Sequence, residues 1–328
     1  MKRNSRPPNL PDLLKSKIYK TGQTRGADDD VIFQNRVGRN GTVLIPYQFW
    51  NPPFSLPNGA TSFENGYIVL IPPKIYFGTM SIDTELDSKG LVLGTNSVVF
   101  YETRSDWMRH NPEQLGWTPA ESRTPPLGGQ FVARIPATTS ASDGDKINRG
   151  FTSRNPKGAG IRLYEYASLE TIQACRDQLE ALFWMCQDAV EVAIENGMSE
   201  ELALNRRAFS LNTCQMAGLL DYSQMVKSRV IGEDNVTTCP LCLERLSARG
   251  FFNRMAQAEG REVPDLTITE INLFHVVELR YGVFNHRPYN MGWGHHHCNV
   301  VTKDSGIMGT LSWMKGVIDR NTQRGFTF

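Results

Sequence analysis

Cys239-Pro240-Leu241-Cys242 and, far downstream, His295-His296-His297-Cys298-Asn299 decide how the last third of this chain folds. In each stretch two metal-ligating residues stand with two others between them, Cys239 and Cys242 in the first, His295 and Cys298 in the second. Such spacing fits a tight knuckle turn. Two knuckles supply the four tetrahedral ligands of a structural zinc, with no open position left for catalysis. The zinc (Zn2+) expected here holds shape. The alternative, a redox CxxC beside a surface histidine tract, leaves the order of the residues in between unexplained.

That order is specific. Asp265 to Leu279, with Glu270-Ile271-Asn272-Leu273-Phe274-His275 inside it, reads as strand around His275. Gly282 follows, then Asn285-His286-Arg287-Pro288-Tyr289-Asn290, then the second knuckle and Asn299. Over residues 238–307 the arrangement resembles the HNH (ββα-metal) nuclease motif. In that family a first-strand histidine activates water, a middle Asn pins the connecting loop, and a residue just after the second knuckle binds the catalytic metal. The resemblance puts these roles on His275, Asn290 and Asn299.

A phosphodiester needs both a nucleophile and charge neutralisation, and a neutral histidine can take a proton from water near pH 7. The resemblance therefore implies His275 as general base and a divalent ion, magnesium (Mg2+), with Asn299 as one ligand, leaving 5′-phosphates. The sequence departs from the family at Phe274, where many members carry Asp or His. A hydrocarbon ring cannot bind magnesium, so Glu270, Glu278, Asn285 and His286 become candidates for that ligand, or water fills the place.

The longer runs Leu273–Arg280 and Phe284–Asn299, with the opening Leu13-Leu14-Lys15-Ser16-Lys17-Ile18-Tyr19-Lys20-Thr21-Gly22, resemble the BstXI type of restriction endonuclease. That resemblance implies a bacterial, cytoplasmic Type II enzyme cutting double-stranded DNA at a specific, interrupted palindrome. It also implies a homodimer, since symmetric DNA is read by symmetric protein, and a companion DNA methyltransferase.

The rest of the chain is consistent with such a protein. Its 328 residues suffice for two domains. A 40% hydrophobic and 21% charged composition is that of an ordinary globular protein, and no apolar run approaches a membrane span. The basic start, Met1 to Pro8, lacks the apolar stretch of a secretion signal. The net charge of +1 decides nothing, because a basic groove can sit on a neutral whole. Of the six cysteines, Cys175, Cys186 and Cys214 stand alone in helical segments and read as reduced core residues.

The expected fold class is α+β, with a mainly-β N-terminal region, central helices and the zinc-stapled ββα-metal domain at the end. The proposed boundaries are 1–166 for DNA recognition, 167–230 for a helical bridging or dimerisation segment, and 231–328 for the nuclease. Candidate strands are Val31–Gln34, Thr42–Ile45, Tyr67–Ile71, Ser97–Tyr101, Phe131–Ile135 and Ile161–Tyr166. The polar stretch Ala137 to Asn148 reads as loop. One helix is expected from Ser168 to Asn196-Gly197, on Leu169, Ile172, Leu179, Leu182, Phe183, Cys186, Val190 and Ile194. A second, capped by Ser199, carries Leu202, Leu204, Phe209, Leu211, Met216 and Leu219 toward a core.

Residues of the types that pair with base edges lie at Arg25, Gln34, Asn35, Arg36, Arg39 and Asn40. Arg280, Arg287 and Lys303 flank the nuclease elements as phosphate contacts, and His286 is a candidate for DNA, metal or loop packing. Two other classes remain open at this point, and a third, an RNA-directed or toxin nuclease, is disfavoured by the large N-terminal domain. A modification-dependent nuclease would flip a methylated base into an aromatic pocket, for which Trp50, Tyr67, Tyr76 and Phe77 are available. A non-catalytic zinc module would make Phe274 the mark of a dead site.

Overall fold

Four nearly unbroken apolar runs, at 43–46, 67–71, 97–101 and 131–135, need cover on both faces, which is how strands of a parallel sheet read. The computed structural model describes residues 7–19, 23–24, 32, 37–137, 147–151, 158–254, 269–302 and 305–326. In chain order its first elements are α1 (Asp12–Tyr19), β1 (Gln23–Thr24), β2 (Val37–Gly38), β3 (Val43–Pro46), β4 (Tyr67–Ile71), α2 (Pro73–Tyr76), α3 (Ile82–Ser88), β5 (Ser97–Tyr101), α4 (Arg104–Arg109), β6 (Phe131–Ile135), β7 (Ile147–Arg149) and β8 (Ile161–Arg162). Then come α5 (Leu169–Trp184), α6 (Ala189–Glu195), α7 (Glu200–Met216), α8 (Tyr222–Lys227), β9 (Ile271–His275), β10 (Met291–His295), α9 (His296–Thr302) and α10 (Gly306–Gln323). The chain forms two compact units. The first comprises Gly22–Leu169 with Tyr281–Phe284, and the second Met1–Thr21, Glu170–Arg280 and Asn285–Phe328.

The first unit is built on a six-stranded sheet in the order β7-β6-β5-β4-β3-β8. All neighbours are parallel except β6 and β7, which run antiparallel with Ala133 opposite Arg149. Parallel neighbours need crossover connections, and here α2 and α3 bridge β4 to β5 while α4 lies between β5 and β6. The expectation of a mainly-β region is thus corrected to a mixed one. The crossover helices are at most seven residues long, too short to register as a helical period. Val43, Val69, Ile71, Val98, Val99 and Phe131 are fully buried. The strand expected at Ile161–Tyr166 lasts two residues before a 3-10 turn at Leu163–Glu165. The one expected at Val31–Gln34 falls outside the described residues except for Ile32, as does most of the loop from Ala137 to Asn148.

In the second unit the first expected helix is two. The break follows α5, where Thr237 donates its hydroxyl to the Leu182 carbonyl and its N–H to that of Met185. Those are acceptors a continuous helix would have used itself. α6 then ends at Asn196 with Gly197 at φ 99°, as the Asn-Gly pair implied. Ser199 caps α7 by accepting from the Leu202 N–H.

The face that α7 buries is a second correction. Ala203, Ser210 and Cys214 point inward, while Leu202, Leu204, Phe209 and Met216 are exposed. Small inward residues let helices approach closely. Arg206 on the same helix makes a bidentate pair with the buried Glu180 of α5, both contacts 2.6 Å, and donates to the Pro8 carbonyl. Cys175, Cys186 and Cys214 are buried thiols outside any disulfide, as expected. One continuous core joins these helices to α1, β9 and β10. Among the described residues no helix is long and apolar enough to cross a membrane.

Candidate active site and metal centre

Both knuckles form. In the first, the Leu243 N–H donates to the Cys239 carbonyl at 2.8 Å, and Leu243 sits at φ 63° to close the turn. Arg229 clamps it from outside, donating to the carbonyls of Pro240 (2.7 Å) and Leu241 (3.3 Å). The second knuckle is the junction of β10 and α9, where His295 ends the strand and Cys298 enters the helix.

The ligand atoms of Cys239, Cys242, His295 and Cys298 all lie within 4.8 Å of one another, so the group could hold zinc. Burial, together with the neighbouring thiols, raises Cys298 and Cys242, while burial and the nearby His297 lower His295. The apo cluster thus favours neutral groups, a preference that a bound divalent ion reverses.

β9 and β10 pair antiparallel, with His275 opposite Met291 and Ile271 opposite His295, and α9 follows directly. Glycines make this packing possible: a Cβ at Gly294 would come within 2.7 Å of the Phe274 ring, and one at Gly292 within 2.7 Å of Val230. Trp293 locks the hairpin to the helices by donating its indole N–H to the Leu179 carbonyl at 2.8 Å. Lys17 of α1, buried, donates to the Ile271 carbonyl at 2.6 Å. Neighbours on a strand point to opposite faces, so the full burial of Phe274 turns His275 to the other face. Phe274 is therefore a core residue.

His275 Nε2 lies 3.3 Å from His286 Nδ1. His286 is 1% exposed and packed beside His275, which favours the loop-packing reading among the three open for it. Asn290 is buried and ties the β9–β10 loop together. Its amide oxygen accepts from the Val277 N–H (2.8 Å), and its NH2 donates to the carbonyls of Val277 (3.0 Å) and Asn285 (2.7 Å). Asn285 donates in turn to the Glu278 carbonyl at 3.1 Å. Asn299 lies on α9, half-buried, next to Cys298.

Two of the residues considered for the ligand place at Phe274 have side-chain partners: Glu270 accepts from Asn253 at 3.3 Å, and Glu278 lies 3.6 Å from Arg280. Among the described residues no second group of three His, Cys, Asp or Glu ligands converges.

Of the base-reading candidates, Arg25, Gln34, Asn35 and Arg36 lie outside the described residues, as does Lys303. Arg39 is buried, with its guanidinium 3.9 Å from the Glu165 carboxylate and donating to the Glu165 carbonyl. It holds the fold from inside and presents nothing to a base edge. Asn40 donates to Glu64 at 3.0 Å. Arg280 and Arg287 are exposed, Arg280 with Glu278 3.6 Å away. Of the aromatic residues considered for a base pocket, Trp50 stacks on Tyr67 and Tyr76 packs on Phe77 and Trp117.

Sequence reasoning missed the pairing of His286 with His275. Eleven residues separate them in the chain, and only the fold of the loop joins them.

No match is found among curated proteins or among solved structures. The family model described as BstXI restriction endonuclease matches residues 16–296, which includes the second half of α1, the sheet, helices α2 to α8, the first knuckle and the hairpin. A match over that span shows that the chain belongs to the BstXI restriction endonuclease family, membership of which implies a site-specific, Type II deoxyribonuclease.

Proposed function

We propose that this endonuclease cuts by an HNH-type mechanism in which His275 activates water. The observation that carries the reading is the hairpin β9–β10 followed by α9, with His275 on the face opposite Phe274 and the four zinc-type ligands at the hairpin's other end. In the productive tautomer His275 donates its Nε2–H to His286 Nδ1, so Nδ1 of His275 carries the lone pair that takes the proton. Water oxygen then attacks phosphorus, the bond to the 3′-oxygen breaks, and that oxygen leaves with a proton from solvent. The product ends are a 5′-phosphate and a 3′-hydroxyl. Neutral His286 stabilises the imidazolium by continuing to accept from Nε2.

Zinc fits Cys239, Cys242, His295 and Cys298 and serves as a staple. Restriction endonucleases generally use a divalent metal, which neutralises phosphate charge and the leaving oxygen. For magnesium this chain offers Asn299 but, among the described residues, no converging carboxylate, so a bound ion would take its remaining ligands from water.

The first unit is the reader in this proposal. The enzyme acts as a homodimer on an interrupted palindrome, in a cell whose own DNA is protected by a companion methyltransferase.

The test is digestion of unmethylated plasmid and phage DNA with magnesium, beside His275→Ala, with the ends sequenced. Discrete fragments that share one palindrome, carry 5′-phosphates and vanish in the variant support the proposal. A His275→Ala protein that cuts as well as the wild type sinks the base assignment. Cutting confined to methylated DNA replaces the proposal with a modification-dependent enzyme.

A further inference from the structure

The loop between β9 and β10 does not stay with its strands. The chain leaves the second unit at Arg280, contributes Tyr281–Phe284 to the first, and returns at Asn285. Within the first unit Tyr281 stacks flat on Phe49, with ring centroids 4.1 Å apart and planes 10° from parallel, and meets Tyr164 edge-on at 4.8 Å. Phe284 meets Tyr166 edge-on at 6.1 Å and packs on the core around Val43 and Ile161. Phe49, Phe54, Tyr164 and Phe284 border a cavity of about 300 Å³, which gives these rings room to repack.

The neck of the excursion is short and tied by hydrogen bonds. Asn285 is its first residue after Phe284, held by the Glu278 carbonyl and by Asn290. The next residue is His286, whose Nδ1 lies 3.3 Å from His275. No flexible spacer separates the aromatic anchor from the partner of His275. Tyr281 at 37% and Phe49 at 38% exposure remain partly accessible, so their stacking is open to change when DNA is bound.

We propose that Tyr281 is a positioning residue that couples the first unit to His275, so that the rate at which bound DNA is cut depends on the Phe49–Tyr281 stack. This rests on the assignment of His275 above. A small displacement of a catalytic group costs up to about a hundredfold in rate, whereas the two stacked ring faces carry no charge with which to hold phosphate. Its loss should therefore appear in cleavage and not in binding.

The experiment uses the full chain and a phage DNA fragment that the wild type cuts. Binding is measured without divalent ions other than the resident zinc, and single-turnover cleavage after magnesium is added to the preformed complex. Tyr281→Ala and Phe49→Ala are each expected to slow cleavage by about tenfold or more with the Kd essentially unchanged. The double variant should be no slower than either single one, because the two side chains act as one contact. Tyr281→Phe, which keeps the stack, should restore the rate. The pH profile of cleavage should change in Tyr281→Ala, a readout that simple loss of packing would leave alone.

Wild-type rates in both alanine variants would overturn the coupling, and so would strictly additive losses or a rate loss matched by an equal loss of binding. Full activity in Tyr281→Ala beside an inactive His275→Ala sinks the coupling alone. Full activity in His275→Ala sinks the assignment on which it stands.

Discussion

The sheet of the first unit and the knuckle hairpin of the second hold their shape by different means. In the sheet, six strands bury Val43, Ile45, Val69, Ile71, Val98 and Val99 almost completely, and apolar burial of that kind is worth about 1.5–3 kcal/mol per side chain. The hairpin has two strands, too few for independent stability in water. It shares the core of the helices, where Ile271, Phe274, Met291 and Trp293 are buried, and is fastened in addition by side-chain clamps: the Cys3His group, Asn290 across the loop, Trp293 to Leu179, and Lys17 to Ile271. The lesson is that the chemistry sits where chain geometry is fixed by directional bonds. Directional bonds orient a side chain such as His275, and oily contacts alone do not.

The sharpest break in this comparison is removal of the zinc proposed for the Cys3His group. Structural zinc contributes roughly 10 kcal/mol or more to the folding of small zinc modules, so a strong chelator, or Cys298→Ser, should expose the amides of β9, β10 and α9 to hydrogen exchange. Those of β4 and β5 should stay protected. Equal loss in both units would end the distinction.

Phe131→Ala should give the mirror image. Phe131 is fully buried between Tyr101 and Trp107, and such truncations cost about 3–5 kcal/mol. A lower thermal midpoint with the loss of protection centred on β5 and β6 is expected.

A smaller effect belongs to Asn290→Ala, which strands the Val277 and Asn285 backbone groups at about 1–3 kcal/mol. Cleavage should fall while the melting of the sheet is unmoved. Unchanged cleavage would separate the loop clamp from the chemistry.

The smallest effect concerns thiols. Burial lifts Cys186 and Cys214 from 9.0 to about 12. In the native protein at pH 8 both should therefore resist alkylation by iodoacetamide, read by mass spectrometry. Because the folded pKa is the higher one, the stabilisation is complete below pH 9 and is lost as the pH rises from 9 toward 12.

Much of this molecule was legible before any coordinate. Tyr67–Ile71, Ser97–Tyr101 and Phe131–Ile135 are strands at the bounds read from sequence, since short apolar runs between Pro, Gly and Asn have few other uses. The four zinc-type ligands were found from spacing, because a tetrahedral site imposes local pairs that the chain displays directly. The parallel pairing of β3, β4, β5 and β6 was not legible, as an apolar run does not name its neighbour. The inward face of α7 was missed because its stripe is made of Ala203, Ser210 and Cys214, while larger apolar residues beside it face outward.

By itself, then, the sequence determined the local chemistry: which residues can ligate, which can take a proton, where strands begin and where Asn196-Gly197 ends a helix. Only the tertiary structure decided the partners: Thr237 at the break after α5, Glu165 against Arg39, His286 beside His275, and Phe49 under Tyr281. The reason is physical. Ligand spacing and backbone preference act over a few residues, whereas these contacts join residues from 11 to more than 200 positions apart, and such pairings are fixed by the packing of the whole core.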